Sequence, residues 1–349
     1  MSNFDDLAMA VASFGANNRV IFDDLGKPSI MVLVPKMKYS DVIADGTQET
    51  MPWWIVDGVE KNIWVSKYIN TVVNDRAYSL ALKDPKCYIN FDQAVAACRK
   101  KGQGWHLNQN GIFAALNLWC MKNGFIPRGN TNWDASYEKA WERGMNTYID
   151  GEHKGGRTAT GSGPVTWNHD GTPAGIADLC GNTWEWVSGL RLVDGEIQII
   201  PYGNSMKLTC NMGANSTEWK AIMPDGTLVE PGTEGTLKID RTSASDGALR
   251  INTTVTTRTT DSNDTNSFFK DVKAASGVSI PKLLIAAGIF PETGMTTPGR
   301  FYARNHGERL PCRGSGFFST SIGGPAALIL VSPRTFSYGY ISLRSAYYE

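Results

Sequence analysis

Apolar and polar positions first alternate in the manner of strands. PSIMVLVPK at 28–36 is rich in β-branched and apolar residues, and NIWVSKYINTVV at 62–73 continues in that style, so both predict strands. The period then lengthens. In NFDQAVAACRKKGQG at 90–104, Phe91, Ala94, Val95 and Cys98 recur at helical spacing. Asn90 suits the N-cap, and Gly102 after basic residues marks the stop. NQNGIFAALNLWCMKNG at 108–124 repeats the design. Asn108 stands as its cap, Ile112, Phe113, Leu116, Trp119 and Cys120 form its apolar face, and Gly124 ends it. Both apolar faces read as core. From 126 to 175 the chain is rich in Gly, Asn and Thr, which predicts a long ordered loop. Residues 191–300 read as an irregular insertion. It carries hairpin signals at RLVDGEIQIIP and MPDGTLVEPGTEGTLKIDR, a Thr/Ser/Asp-rich patch at 252–267 and the apolar IPKLLIAAGIF. No internal repeat is visible. This mixture predicts the α+β class, with one domain over 29–349 and a weakly patterned 1–28 that reads as an N-terminal arm or an oligomer contact.

The pattern changes at the carboxy terminus. From Gly314 to Leu343 the only charged side chain is Arg334, although 19% of the whole chain is charged. Ile329, Leu330 and Val331 in a row suit a strand, with Leu328 and Leu330 inward and Ile329 and Val331 outward. Phe336, Ser337, Tyr338, Gly339 and Tyr340 would fill a core poorly. Tyr and Phe instead offer large, fairly rigid contact area at low entropic cost, and Ser and Gly let that area adapt, as in antibody paratopes.

Composition narrows the function classes. Lys plus Arg and Asp plus Glu both number 34, so no net field points to nucleic acid or to an anionic membrane. MSNFDDLAMAVASFG lacks a basic n-region and a long apolar h-region, so no signal peptide is expected. Apolar runs such as LLIAAGIF at 283–290 are far too short to span a bilayer, and no membrane insertion is expected. The six cysteines form no CxxC pair, and the four histidines do not cluster with them. Free, mostly buried thiols in a reducing compartment are expected, and a zinc site is not.

GIADLCGNTWEWVSG at 175–189 resembles the Gly-Asn-Val-Trp-Glu-Trp-Val motif of the formylglycine-generating (sulfatase-modifying factor) family. INFDQAVAACRKKGQGWHL resembles that family's first helix and the turn after it, LPCRGSGFF at 310–318 its late R-G-G-S strand, and SLRSA at 342–346 its closing G-F-R-x-A. The resemblance implies a C-type-lectin-like fold of the formylglycine-generating-enzyme variant: small twisted antiparallel sheets, two helices and much irregular loop. Trp184 and Trp186 alternate as strand residues do, and Glu185 between them reads as a buried acceptor for loop amides. Enzymes of that family use a cysteine pair just after the R-G-G-S strand. The corresponding places here fall near Ser319 and Gly324, and neither supplies a thiolate.

The same segment, LPCRGSGFFSTSIGGPAALILVSPRTFSYGYISLRSAYYE, also resembles the variable region, here about 314–344, of proteins diversified by diversity-generating retroelements, among them phage receptor-binding tropism determinants. The retained frame includes Cys312, Arg313, Gly314, Gly324, Leu328, Leu330, Pro333, Arg334, Ile341, Arg344, Ser345 and Ala346. Departures are Ser315 for Gly, Phe317 for Trp, Ser342 for Gly and Leu343 for Phe. Where the family carries template asparagines this chain holds Gly316, Phe318, Ser319, Ile322, Ile329, Val331, Ser332, Phe336, Tyr338, Gly339 and Tyr340. Randomising the adenines of an AAC codon cannot reach Lys, Glu, Gln, Met or Trp, and none of these occurs between 314 and 343.

The resemblance thus implies a non-enzymatic protein that shows massive sequence variation at a ligand-binding surface made of those positions. Arg313, Gly314, Trp184, Trp186, Arg334 and Arg344 are its expected scaffold, the three arginines bonding loop carbonyls or acidic partners beneath the surface. The expected partner is a bacterial surface protein or glycan receptor, and the expected setting a phage virion tail tip assembled in the host cytoplasm, or the cytoplasm itself. A homo-oligomer such as a trimer would multiply weak contacts. No catalytic residue, metal ligand or cofactor is expected. Structural Ca2+ among the Asp- and Asn-rich loops stays open, while the variable segment has no Asp, Glu or Asn to hold it. The alternative is a formylglycine-generating-type oxidase or degenerate metalloenzyme with a non-cysteine site.

Overall fold

Two sheets organise the chain, and its last residues run through both. A computed structural model describes residues 4–153, 155–244 and 247–349. The smaller sheet has five strands in the order Asn18–Phe22, Pro28–Val34, Ile63–Ser66, Ser345–Tyr348 and Trp105–Leu107. The larger has thirteen strands, mostly antiparallel, and with the helices this gives a mixed α+β protein. Among the described residues no helix is long and apolar enough to cross a membrane.

The strand runs at 28–36 and 62–73 form as expected, as Pro28–Val34, Ile63–Ser66 and Thr71–Val73. The expected amino-terminal arm differs. Helix Asp5–Ala12 leads into strand Asn18–Phe22, which pairs with its neighbour from Asn18↔Val32 to Phe22↔Pro28. Val20 and Ile21 are buried there, so this stretch belongs to the sheet. Met1–Asn3 lie outside the described residues.

Helix Phe91–Arg99 opens on the expected cap. Gln93 N–H donates to Asn90 Oδ1 at 2.9 Å, and Asn90 N–H donates to Gln93 Oε1 at 3.0 Å. Phe91, Ala94, Ala97 and Cys98 are buried. Helix Asn110–Lys122 is capped at Gln109, not at the expected Asn108. The main chain explains the shift: Asn108 N–H donates to Arg344 O at 2.8 Å and Asn108 O accepts from Ser188 N–H at 2.9 Å, which holds Asn108 in the ladder.

The expected insertion at 191–300 is continuous with the larger sheet. Leu190–Val193 and Glu196–Ile199 form a hairpin whose turn residues Asp194 and Gly195 have φ of 50° and 90°, as a two-residue turn of this kind requires. The second expected hairpin closes Lys220–Ile222 on Leu228–Val229. Leu192, Ile197, Ile239 and Ile251 share one core with Ile112, Phe113 and Leu116 of the helix Asn110–Lys122.

The carboxy-terminal strands join the sheets. Ile341–Leu343 runs parallel to Trp184–Trp186 in the larger sheet, and Ser345–Tyr348 then enters the middle of the smaller one. Arg344, at the crossover, is fully buried. Its Nε and Nη2 donate to the two Glu185 oxygens at 2.8 Å each. Nη1 donates to Ser66 O at 2.8 Å and Lys67 O at 3.2 Å, and Nη2 to Ala177 O at 2.9 Å. Burial pushes the Glu185 carboxyl up, and the guanidinium opposes that push.

Two stability outcomes follow from this packing. Arg344→Met should cost about 3–5 kcal/mol by urea denaturation, because Glu185 would be left buried and unpaired. The double variant with Glu185→Leu should recover only part of the loss, since the Ser66 and Ala177 carbonyls still lack a donor, while Lys67 O keeps the Ala177 N–H. The second concerns His106. Its Nδ1–H faces Leu107 O at 2.9 Å, its Nε2 is buried with no hydrogen-bond partner among the described residues, and burial holds the imidazole down to about 4. An unfolded histidine titrates near 6.5. The folded state therefore binds protons less readily, and stability that is full above about pH 6.5 is lost as pH falls toward 4. His169, also buried and held down to about 4, adds to the same window. Urea midpoints between pH 7 and 4 should fall accordingly, and His106→Gln should remove a share on the order of 3 kcal/mol.

Candidate functional site

The GNTWEW stretch sets the base of the carboxy-terminal face. Gly181 and Asn182 both have left-handed backbones, φ 79° and 65°. A Cβ on Gly181 would collide with the Asn130 main chain, so only glycine fits. The Asn182 side chain then acts as a strand edge: its amide donates to Thr158 O at 2.9 Å while Oδ1 accepts from Thr158 N–H at 2.9 Å. Trp184 and Trp186 follow, both buried, with Trp186 Nε1–H donating to Ile89 O at 3.0 Å.

Strand Glu308–Arg313 pairs with Trp184–Trp186 on one side and with Leu328–Ser332 on the other. Arg313 at its end is buried and, among the described residues, meets no carboxylate. Its guanidinium donates to Asn110 Oδ1 at 2.9 and 2.8 Å, to Ala287 O at 3.1 Å and to Gly288 O at 2.8 Å. Burial pulls it down to about 9, still charged at neutral pH. Gly314 and Ser315 turn the chain with φ of 94° and 73°. Ser315 stands where the resemblance expects glycine and keeps the left-handed backbone. Its Oγ accepts from Gly181 N–H at 3.2 Å and Gly324 N–H at 3.3 Å, which offsets the strain.

In the strand Leu328–Ser332, Leu328 and Leu330 point inward and Ile329 and Val331 are half exposed, as expected, and Ser332 takes the inward phase as well. The loop 333–340 follows. Four of its carbonyls are held from outside the segment 314–344. Arg334 O accepts from Phe91 N–H at 3.3 Å, Tyr338 O from Tyr88 N–H at 3.1 Å, and Tyr340 O from Trp184 N–H at 2.9 Å. Gly339 O accepts from the Arg157 guanidinium at 2.8 Å. Arg334, the lone charge, spans Glu308 at 3.1 and 2.8 Å, Asp92 at 2.7 Å and Met212 O at 2.9 Å.

The side chains of this loop form a row. Phe336 stacks on Tyr338 with centroids 6.0 Å apart, Tyr338 lies 4.6 Å from Tyr340, and Tyr340 meets Phe318 edge to face at 4.9 Å. Phe318 continues to Phe317 at 5.2 Å, and Phe317 to Tyr148 at 6.4 Å. Tyr338 is 52% exposed. Ile322 is half buried on the turn Thr320–Ile322, whose neighbours Ser321 and Gly323 line a small cleft with Arg128 and Tyr137.

Three expected surface positions are buried. Gly316 N–H donates to Ser319 Oγ at 3.0 Å, which turns both inward, and Ser332 falls on the inward phase of its strand. They belong to the frame. Sequence reasoning missed Tyr88, Tyr148 and Arg157, which lie in loops far from the segment and carry no periodic signal.

All six cysteines are free and buried. Burial pushes the Cys312 thiol well above its ordinary value. Among the described residues no group of three or more His, Cys, Asp and Glu is placed to hold a metal.

A contrast between side chain and frame is expected in stability measurements. Tyr338→Ser should change unfolding free energy by no more than about 0.5 kcal/mol. Arg334→Ala, which leaves Met212 O without its donor and Glu308 with Arg191 alone, should cost about 1–3 kcal/mol in the same urea titration. The chain matches no protein-family model and no curated protein.

Proposed function

We propose that this chain is a non-enzymatic receptor-binding protein whose carboxy-terminal face is diversified by a retroelement, on a C-type-lectin-like fold of the formylglycine-generating-enzyme variant. One observation carries the reading. The loop 333–340 is held through main-chain carbonyls by Phe91, Tyr88, Arg157 and Trp184, and any residue supplies a carbonyl. Beyond the frame residues Pro333 and Arg334, its side chains are therefore free to differ while the backbone stays in place. Gly339 fits this description, since a Cβ there would meet only the end of the exposed Tyr88 ring, 2.8 Å from its hydroxyl.

Recognition is then non-covalent. Phe336, Tyr338, Tyr340 and Phe318 supply the aromatic anchors, with Ile329 and Val331 beside them. Ser319 and Gly324, the places where the enzymes keep cysteines, instead bond the turn around Ser315. The receptor is a bacterial surface protein or glycan, the setting a phage tail tip, and a trimer would raise avidity.

Flanking DNA tests the reading. A nearby reverse transcriptase gene and a near-copy of the 314–344 coding segment, differing only at adenine positions, are the expected finding; a locus without that repeat would refute diversification. For recognition itself, the purified protein should adhere to fixed cells of some members of a bacterial panel. Tyr338→Ala should weaken that adhesion by about 2 kcal/mol or more, with the fold unchanged by circular dichroism.

A further inference from the structure

Beside the aromatic row lies a groove of about 620 Å³ that the variable segment does not line. That volume falls within the roughly 300–1,000 Å³ of small-molecule sites. Three pieces of fixed structure wall it. The Asn74-Asp75 turn of the hairpin Thr71–Val73/Arg76–Tyr78 overhangs one side, with φ of 50° and 59°. Helix Phe91–Arg99 gives the other through Gln93, Ala96 and Ala97, with Lys100 just beyond its end. Lys86, Tyr88 and Ile89 close it toward the variable face.

The groups in this groove are of distinct kinds. Lys100 and Asp75 pair with each other at 3.0 Å. Lys86 is half buried, and among the described residues no hydrogen-bond acceptor meets its ammonium, so it is the unbalanced charge. Gln93 gives its oxygen to the helix cap, which leaves its NH2 to donate. Ala96 and Ala97 make a floor without bulk. Tyr88 stands in a left-handed backbone, φ 53°, that a bulky side chain rarely adopts, and it is 66% exposed. Its ring lies 6.5 Å from Tyr338, which makes it the partition between groove and row.

From these contacts we infer that the groove binds a saccharide unit bearing one carboxylate. Lys86 takes the carboxylate, the Gln93 and Asn74 amides and the Asp75 carboxylate take hydroxyls, and the Tyr88 ring covers the apolar face of the sugar. A phosphorylated ligand fits less well, since its greater charge would sit against Asp75. The groove would add a fixed contact, common to all variants, to the changing ones on the row. This deepens the receptor-binding reading and rests on it only for where the sugar comes from.

Titration of the full chain with methyl glucuronide, followed by ligand-observed NMR, tests the assignment. The expected result is saturable binding, at least about tenfold weaker for neutral methyl glucoside and for Lys86→Ala, the scale of a lost charge-assisted bond. Ala96→Trp, which fills the groove from an exposed helix position, should abolish binding with the thermal midpoint unchanged. Val59→Ser, at an exposed position that does not line the groove, should leave the affinity as it is. Equal affinity for acid and neutral sugar, preference for inorganic phosphate, no saturation, or indifference to both Lys86→Ala and Ala96→Trp would each overturn the inference. The free sugar is read without any receptor, so its failure leaves the flanking-DNA result standing, and the reverse also holds.

Discussion

The buried pair Arg344–Glu185 is the joint on which both sheets depend. Its guanidinium meets a carboxylate on Trp184–Trp186 of the larger sheet and, through Ser66 and Lys67 carbonyls, the end of a strand of the smaller one. A pair with no exposed surface recovers its desolvation only when every donor and acceptor is met. Here the Ala177 carbonyl completes the set. The direction of each sheet at the crossover is thereby fixed by hydrogen-bond geometry, where apolar packing alone would permit sliding.

That joint lets the neighbouring loop be set by its main chain. Between Pro333 and Tyr340 the polypeptide is anchored at carbonyl oxygens, and Arg334 adds one charged anchor beneath the aromatic row. The row itself packs loosely on the core through Phe336 and Tyr340, while Tyr338 projects. Frame contacts and exposed aromatic surface thus occupy different atoms of the same residues. The arrangement needs donors from several loops at once, which accounts for the many ordered segments between 80 and 184 that form neither helix nor sheet.

Much of this was legible because its causes are local. The cap at Asn90, the alternation of Leu328–Ile329–Leu330–Val331 and the Asp-Gly turns all follow from residues within a few positions of one another, whereas Glu185 is buried as expected but accepts from the Arg344 guanidinium, 159 positions away, in place of the expected loop amides. What escaped has long-range causes. Asn108 looks like a cap until Arg344, far along the chain, claims its N–H. Ser319 is polar and follows two phenylalanines, yet its hydroxyl turns inward to Gly316 N–H. Residues 191–300 look irregular because their strands are short, and their partners in the shared core come from distant helices. Tyr88 and Arg157 reach the loop 333–340 from remote segments, which no spacing could announce.

The position of Ser345–Tyr348 at the heart of the smaller sheet has a consequence for biosynthesis. Until this strand has been synthesised, Ile63–Ser66 and Trp105–Leu107 have no partner between them, so the sheet stays in two halves. Such late, long-range closure makes folding slow and leaves unpaired edges exposed meanwhile. A stop codon or frameshift anywhere between 314 and 344 deletes or scrambles that strand. The chain then fails at closure, so completion of the fold acts as a check on the reading frame across the segment.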